Sequence, residues 1–166
     1  MYPTDTVWGI GADATNEEAV EKIYTLKKRP GSKAMIVLVA DERDVLRYAA
    51  SPDLAVFDYL QTVKKPTTVI YDGAIGLASN LLAEDGSIAM RICKEAFCRN
   101  LIKRFRKPIV STSANFAGEE TPLDFGKISD GIKLGVDYVV EYGRGITGMP
   151  SSVVKWKNGE VVVIRP

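Results

Sequence analysis

Apolar positions along the chain change period several times, and each change marks an element. In TNEEAVEKIYTLKKR (15–29), Ala19, Val20, Ile23, Tyr24 and Leu26 recur at helical spacing. Thr15 with Glu18 three residues later predicts a capping box at that helix's start. AMIVLVA (34–40) is a continuous apolar run of strand length and reads as a buried strand. DERDVLRYAA and SPDLAVFDYLQ predict two short helices, the second capped by Ser51 with Pro52 in its first turn. TTVIY (67–71) and SIAMRI (87–92) predict strands on either side of the looser DGAIGLASNLLAEDG. KEAFCRNLIKRFRK (94–107) sets Phe97, Leu101, Ile102 and Phe105 at helical spacing, and PIVSTS then begins another strand. At the end, SSVVKW and EVVVIRP flank Asn158–Gly159, the preferred pair for a tight type I′ hairpin.

Strands and helices alternate, with at least one hairpin among them. The expected class is therefore α/β of the mixed α+β kind: a twisted open sheet with parallel and antiparallel strands, covered by helices. The 166 residues carry no repeat, low-complexity tract or linker, so a single domain is expected. Hydrophobic content of 46% and charged content of 26% are ordinary for a globular protein. No apolar run is long enough to span a bilayer, and MYPTDTVWGIGAD lacks a basic region followed by an apolar one. The cytoplasm is the expected compartment. Cys93 and Cys98 stand as C-x4-C without a second pair, which fits neither a zinc site nor a disulfide framework. They read as small apolar residues around a helix start in a reducing compartment.

There is no histidine, which removes the commonest general base and the commonest metal ligand. No metal-ligating set is predicted. With a net charge of +1, attraction to phosphate has to come from local clustering. Four stretches gather polar groups near strand ends. YPTDTVWGIG places Thr4, Asp5 and Thr6 before a glycine-spaced strand. LKKRPGSK delivers Lys27, Lys28, Arg29 and Lys33. Ser87 and Arg91 share one face of SIAMRI. Each has a structural reading as a local turn, a solvated helix end or a surface arginine. GSKAM lacks the spacing of a Walker A motif, and GIGADA is a weak dinucleotide signature. The fourth, STSAN (111–115), differs: three adjacent hydroxyls cost free energy when buried without partners, but at a strand end they can point into a ligand crevice.

YPTDTVWGIGADATN, LKKRPGSKAMIVLV, SIAMRI, KPIVSTSANFAGEETP and PSSVVKW, taken in order over nearly the whole chain, resemble the YrdC-like family of the threonylcarbamoyl-AMP synthase type. The resemblance implies that threonine, bicarbonate (or carbon dioxide) and ATP give threonylcarbamoyl-AMP and pyrophosphate, for the threonylcarbamoyladenosine modification of tRNA. It assigns Lys27 and Arg29 to the triphosphate and carbamate charges. Thr6, Arg91, Ser111 and Ser151 become threonine contacts, with Arg91 opposite the carboxylate. Arg29, Lys33, Ser87, Ser113, Asn115, Thr121 and Arg165 fall near the nucleotide. Alternation along the strand sends Ser111 and Ser113 to one face and Thr112 to the other. Mg2+ is expected with the nucleoside triphosphate.

The sequence departs from that family at several places. A helix and a strand normally precede Tyr-Pro-Thr, so residues 1–166 are expected to be a single YrdC-like domain lacking that helix and strand. Leu38 stands where many two-domain relatives carry histidine, KKPTTVIY replaces a tryptophan-proline-glycine-proline pattern, and the chain ends at Pro166, before the further domain of longer relatives. An alternative is binding of tRNA or double-stranded RNA without synthase activity, through Lys27, Lys28, Arg29 and Lys33 with Lys103, Arg104, Arg106 and Lys107; that reading requires strong salt dependence. A third, carbamoyl-adenylate chemistry as in hydrogenase maturation, belongs to much larger chains. The tRNA threonylcarbamoyl-transfer machinery is an expected partner, and a membrane is not.

Overall fold

Alternation within the strands sorts the central sheet into two faces with different coverings. The computed structural model describes residues 1–29, 35–141, 148–157 and 159–166. Among them are β1 (Gly9–Ile10), β2 (Ile36–Val39), β3 (Thr67–Tyr71), β4 (Ile88–Ile92), β5 (Ile109–Ser113), β6 (Ser152–Lys157) and β7 (Glu160–Arg165). They form one sheet in the order β1-β5-β2-β4-β3-β6-β7. β2 and β4 run parallel, as do β3 and β6, while the other neighbours are antiparallel. This is the mixed sheet that the sequence pattern predicts.

Val37, Val39, Val69, Ile88, Met90, Val110 and Val154 turn to one face and build the larger core. Helices α1 (Glu17–Leu26), α2 (Glu42–Tyr48) and α3 (Ala55–Thr62) cover it with Val20, Ile23, Val45, Val56 and Phe57. The other face carries Leu38, Ala40 and Ile109, which pack with Tyr2 and with Cys98 and Ile102 of α4 (Ala96–Phe105). The period of two also sends Thr68, Arg91 and Ser111 to this second face, as buried polar groups. Both cysteines are free and buried, one at the end of β4 and the other in the first turn of α4.

Helix starts differ from expectation in two places. Asn16, not Thr15, caps α1: its side chain accepts from Ala19 N at 3.0 Å. Asp13 Oδ1 takes up both the amide and the hydroxyl of Thr15, at 2.9 and 2.6 Å, which shifts the cap by one residue. Ser51 does not cap α3, because its backbone is left-handed at φ 46°; Asp53 accepts from Ala55 N at 3.0 Å instead, and Pro52 precedes the helix. The buried stripe of α4 is Cys98 and Ile102, with Phe105 exposed. Two 3-10 turns (Ser79–Leu81 and Phe125–Lys127) and α5 (Asp130–Leu134) are too short to leave a period in the sequence. The β6–β7 hairpin forms as expected, with Gly159 at φ 80°; Asn158 lies outside the described residues.

Candidate functional site

The segment Thr4–Val7 folds back on itself over the second face. Thr4 Oγ1 donates to Val7 O at 2.8 Å and accepts from the amides of Thr6 and Val7, a local turn of the kind short hydroxyl side chains favour. Thr4 Oγ1 and Thr6 Oγ1 share a hydrogen bond of 2.9 Å. Below them lies Arg91, 4% exposed, with Nη2 3.0 Å from Asp5 Oδ1 and donating to Thr6 Oγ1 at 3.4 Å. Its Nε is buried and has no hydrogen-bond partner among the described residues. Leaving a charged donor unsatisfied is costly, so the free edge of Arg91 is suited to an anion.

Ser111 reaches this loop because Gly9 has no side chain. A Cβ at Gly9 would stand 3.1 Å from Ser111 Oγ and 3.3 Å from Thr4 Cγ2. Tyr2 packs from the other side; its phenol bonds Ser111 and the carbonyl of Val110, and burial pushes its pKa up. Pairing of β3 with β6 brings Ser151 beside Thr68, and their hydroxyls share a hydrogen bond of 2.9 Å. Arg165, across a bulge between Val153 and Val154, donates from Nη2 to Ser151 O at 2.9 Å.

The STSAN segment is tied to the end of α1. Lys27, 1% exposed, donates from Nζ to Ser113 O at 2.5 Å and to Asn115 O, while Ala117 N donates to Lys27 O at 2.9 Å. Burial, with the charge of Arg29 adding to it, holds the Lys27 pKa down to about 8. Arg29 is half-buried, and desolvation lowers its pKa as well. Asn115 Nδ2 donates to Phe116 O and Glu119 O, while its Oδ1 is buried and unpartnered among the described residues.

Two clusters therefore emerge. Thr6 and Arg91 meet directly, with Ser111, Ser151 and Arg165 placed around the same face; Lys27, Ser113 and Asn115 form the second group. Ser87, buried just before β4, bonds Asp85 rather than another candidate, and Thr121 is half-buried with no hydrogen bond to the rest among the described residues. Lys33 lies outside the described residues. Lys27 is turned inward to carbonyls, so it does not contribute to an exposed basic patch. Sequence reasoning singled out the stretch that holds Asp5 without giving Asp5 a role, and it missed Thr68. Asp5 was visible inside the Thr-Asp-Thr run, whereas Thr68 was hidden in an ordinary strand pattern.

A cavity of about 750 Å³ adjoins this site at the carboxyl ends of β2 and β4. Asp5, Ala40, Thr67, Ile92, Cys93 and Lys94 contribute to its wall. Among the described residues no group of three or more His, Cys, Asp or Glu could hold a metal ion. No helix among them is long and apolar enough to cross a membrane.

The comparisons with known proteins agree with one another. A threonylcarbamoyl-AMP synthase of Idiomarina loihiensis is 30% identical over 163 residues, covering 96% of this chain and 88% of that protein. A Methanocaldococcus jannaschii protein provisionally assigned the same activity is 33% identical over 162 residues, covering 98% of this chain and 76% of the relative. The crystal structure of P. abyssi Sua5 complexed with L-threonine superposes with a TM-score of 0.90 at 23% identity. That match covers 99% of this chain, which spans about half of the Sua5 chain (49%), and it shows the shared fold. A sequence model of the Sua5/YciO/YrdC family, described as telomere recombination, matches residues 1–166, and the chain belongs to that family.

Proposed function

We propose that the chain is an L-threonylcarbamoyladenylate synthase, forming threonylcarbamoyl-AMP and pyrophosphate from threonine, bicarbonate or carbon dioxide, and ATP. The observation that carries this reading is the Arg91 guanidinium, buried beside Asp5 and Thr6 with its Nε edge unpartnered among the described residues. A planar fork in a water-poor recess is the natural receptor for an amino-acid carboxylate. The relatives named as threonylcarbamoyl-AMP synthases support the same substrates.

Arg91 receives the threonine carboxylate, and Thr6, Ser111 and Ser151 line the side chain and backbone of the amino acid. Ser113, Asn115, Thr121, Ser87 and Arg165 face the nucleotide, and Lys33, which follows α1 in the sequence, is assigned to the same ligand. Arg29 meets the triphosphate. Lys27 acts on the same region by fixing the carbonyls of Ser113 and Asn115, so that the loop presents its side chains in one arrangement. Carbamate formation on the threonine amine requires no covalent enzyme intermediate. Attack of the carbamate oxygen on the α-phosphate depends on in-line positioning and on neutralising phosphate charge. A chain without histidine is suited to this task.

Mg2+ bound with the triphosphate would supply neutralisation of phosphate charge. The product serves tRNA threonylcarbamoyladenosine formation in the cytoplasm, through a separate transfer machinery. The test is pyrophosphate release from ATP and bicarbonate with threonine, with serine and with no amino acid. Threonine-dependent release is expected, and equal release under all three conditions would refute the assignment. RNA binding is the second reading, favoured by the exposed Lys103, Arg104 and Arg106 at the end of α4. It predicts affinity that falls steeply with salt.

A further inference from the structure

We infer that Asp5 receives the ammonium group of the amino-acid substrate and takes the proton that this group must lose before the carbamate forms. The inference rests on the synthase reading and adds to it a residue with a chemical role. Asp5 Oδ1 stands 3.0 Å from Arg91 Nη2, and Arg91 Nε is the buried edge without a partner among the described residues. An α-amino acid carries its carboxylate and ammonium on one carbon. A carboxylate seated at Nε therefore brings the ammonium beside Nη2, where Asp5 stands. The Asp5–Arg91 pair complements both ends of a zwitterion, and the ammonium relieves the repulsion between the substrate carboxylate and Asp5.

The chemistry requires such a group. Threonine enters with a protonated amine, which has no lone pair for attack on carbon. With bicarbonate, the balanced step is ammonium plus bicarbonate giving carbamate, water and one proton. One N–H proton passes to an Asp5 carboxylate oxygen, the freed nitrogen pair forms the C–N bond, and a second N–H proton leaves with the bicarbonate hydroxyl as water. The chain has no histidine, and Lys27 Nζ is engaged by two carbonyls. Among the described residues no other carboxylate pairs with Arg91. Asp5 also has an outlet: its side chain is 13% exposed and it borders the cavity of about 750 Å³ at the strand ends. A proton taken on the substrate side is thus passed to water on the other.

Binding measured calorimetrically without ATP tests the ammonium contact, using threonine and 2,3-dihydroxybutanoate, which has hydroxyl in place of ammonium. Wild-type protein is expected to prefer threonine by at least about tenfold, the scale of one charge-assisted contact. Asp5→Asn should lose that preference while keeping the weak affinity for the deaminated acid, and Asp5→Glu should recover part of it. With threonine saturating, Asp5→Asn should lower kcat by about 10²-fold or more, as expected for loss of a proton acceptor. An Asp5→Asn protein that keeps the preference would overturn the inference, as would one that loses both ligands equally while melting like wild type. The second result would make Asp5 a support for Arg91 alone. Wild-type protein that binds threonine no better than the deaminated acid overturns it without any variant. Wild-type protein that binds neither compound overturns the synthase reading as well.

Discussion

Lys27 Nζ donates to the main-chain oxygen of Ser113 at 2.5 Å, so a cation at the end of α1 fixes the strand end that carries the serine-rich motif. The bond to Asn115 O extends the tie across the motif. Lys27 thus ties two carbonyls of the motif to the end of α1. Lys27→Met keeps most of the buried stem but leaves both carbonyls without their donor. It should reduce kcat/KM for ATP by about 10²-fold, the cost of a loop misplaced by about 1 Å. Initial-rate measurements at varied ATP check this. Unchanged kinetics would mean that the STSAN segment holds its shape without Lys27.

The same burial makes Lys27 a reporter of stability against pH. Its pKa is about 8 in the folded chain and near the ordinary lysine value of 10.5 when unfolded. Between those values the unfolded chain binds more protons, so this residue makes the folded state more stable as pH rises through the window. Below pH 8 both states are protonated and the full cost of burying the charge applies. Wild-type stability, measured by urea unfolding and compared with Lys27→Met, should gain up to about 1.4 kcal/mol per pH unit between pH 8 and 10.5. A flat difference over that range would show that the charge is better solvated than its burial implies.

Arg91 predicts a clean division between substrates. Lysine at this position retains a positive charge but loses the planar fork and the Nε donor. Arg91→Lys should raise the KM for threonine by about 10²-fold, equivalent to the loss of roughly 3 kcal/mol of charge-assisted bonding, with the KM for ATP little changed. Steady-state kinetics with each substrate varied in turn provide the check. A rise in the ATP KM instead would move the carboxylate receptor elsewhere.

Much of this organisation was legible in the chain. TTVIY matches β3 residue for residue, and the alternation of PIVSTS predicts Ser111 and Ser113 on one face. These readings succeed because a buried strand imposes a period of two over its whole length. The cap of α1 falls one residue later than the sequence pattern predicts because Thr15 and Asn16 are both good caps, and Asp13 decides between them. The partnership of Asp5 with Arg91 joins positions far apart in sequence, and no local pattern encodes it. The inward turn of Lys27 was hidden for a related reason: the sequence shows a basic cluster at a helix end, which is ordinarily solvated.

Gly9 and Gly11 lie two residues apart and should respond differently to the same substitution. At Gly9 the added Cβ would press on Ser111 Oγ at 3.1 Å and Thr4 Cγ2 at 3.3 Å, both ends of side chains that can yield by a few tenths of an ångström. At Gly11 it would meet Tyr2 Cε1 at 2.4 Å and the main-chain oxygen of Val110 at 2.7 Å, and a carbonyl held in β5 has little room to move. Gly11→Ala should therefore lower stability by about 1–3 kcal/mol, the usual range for overpacking a core. Gly9→Ala should cost less stability but move Ser111, raising the KM for threonine several-fold at nearly unchanged KM for ATP. Urea midpoints and threonine titrations on both variants separate the two effects. A Gly9→Ala enzyme with wild-type threonine kinetics would remove Ser111 from the amino-acid site, while a Gly11→Ala protein of full stability would show that Tyr2 swings aside freely.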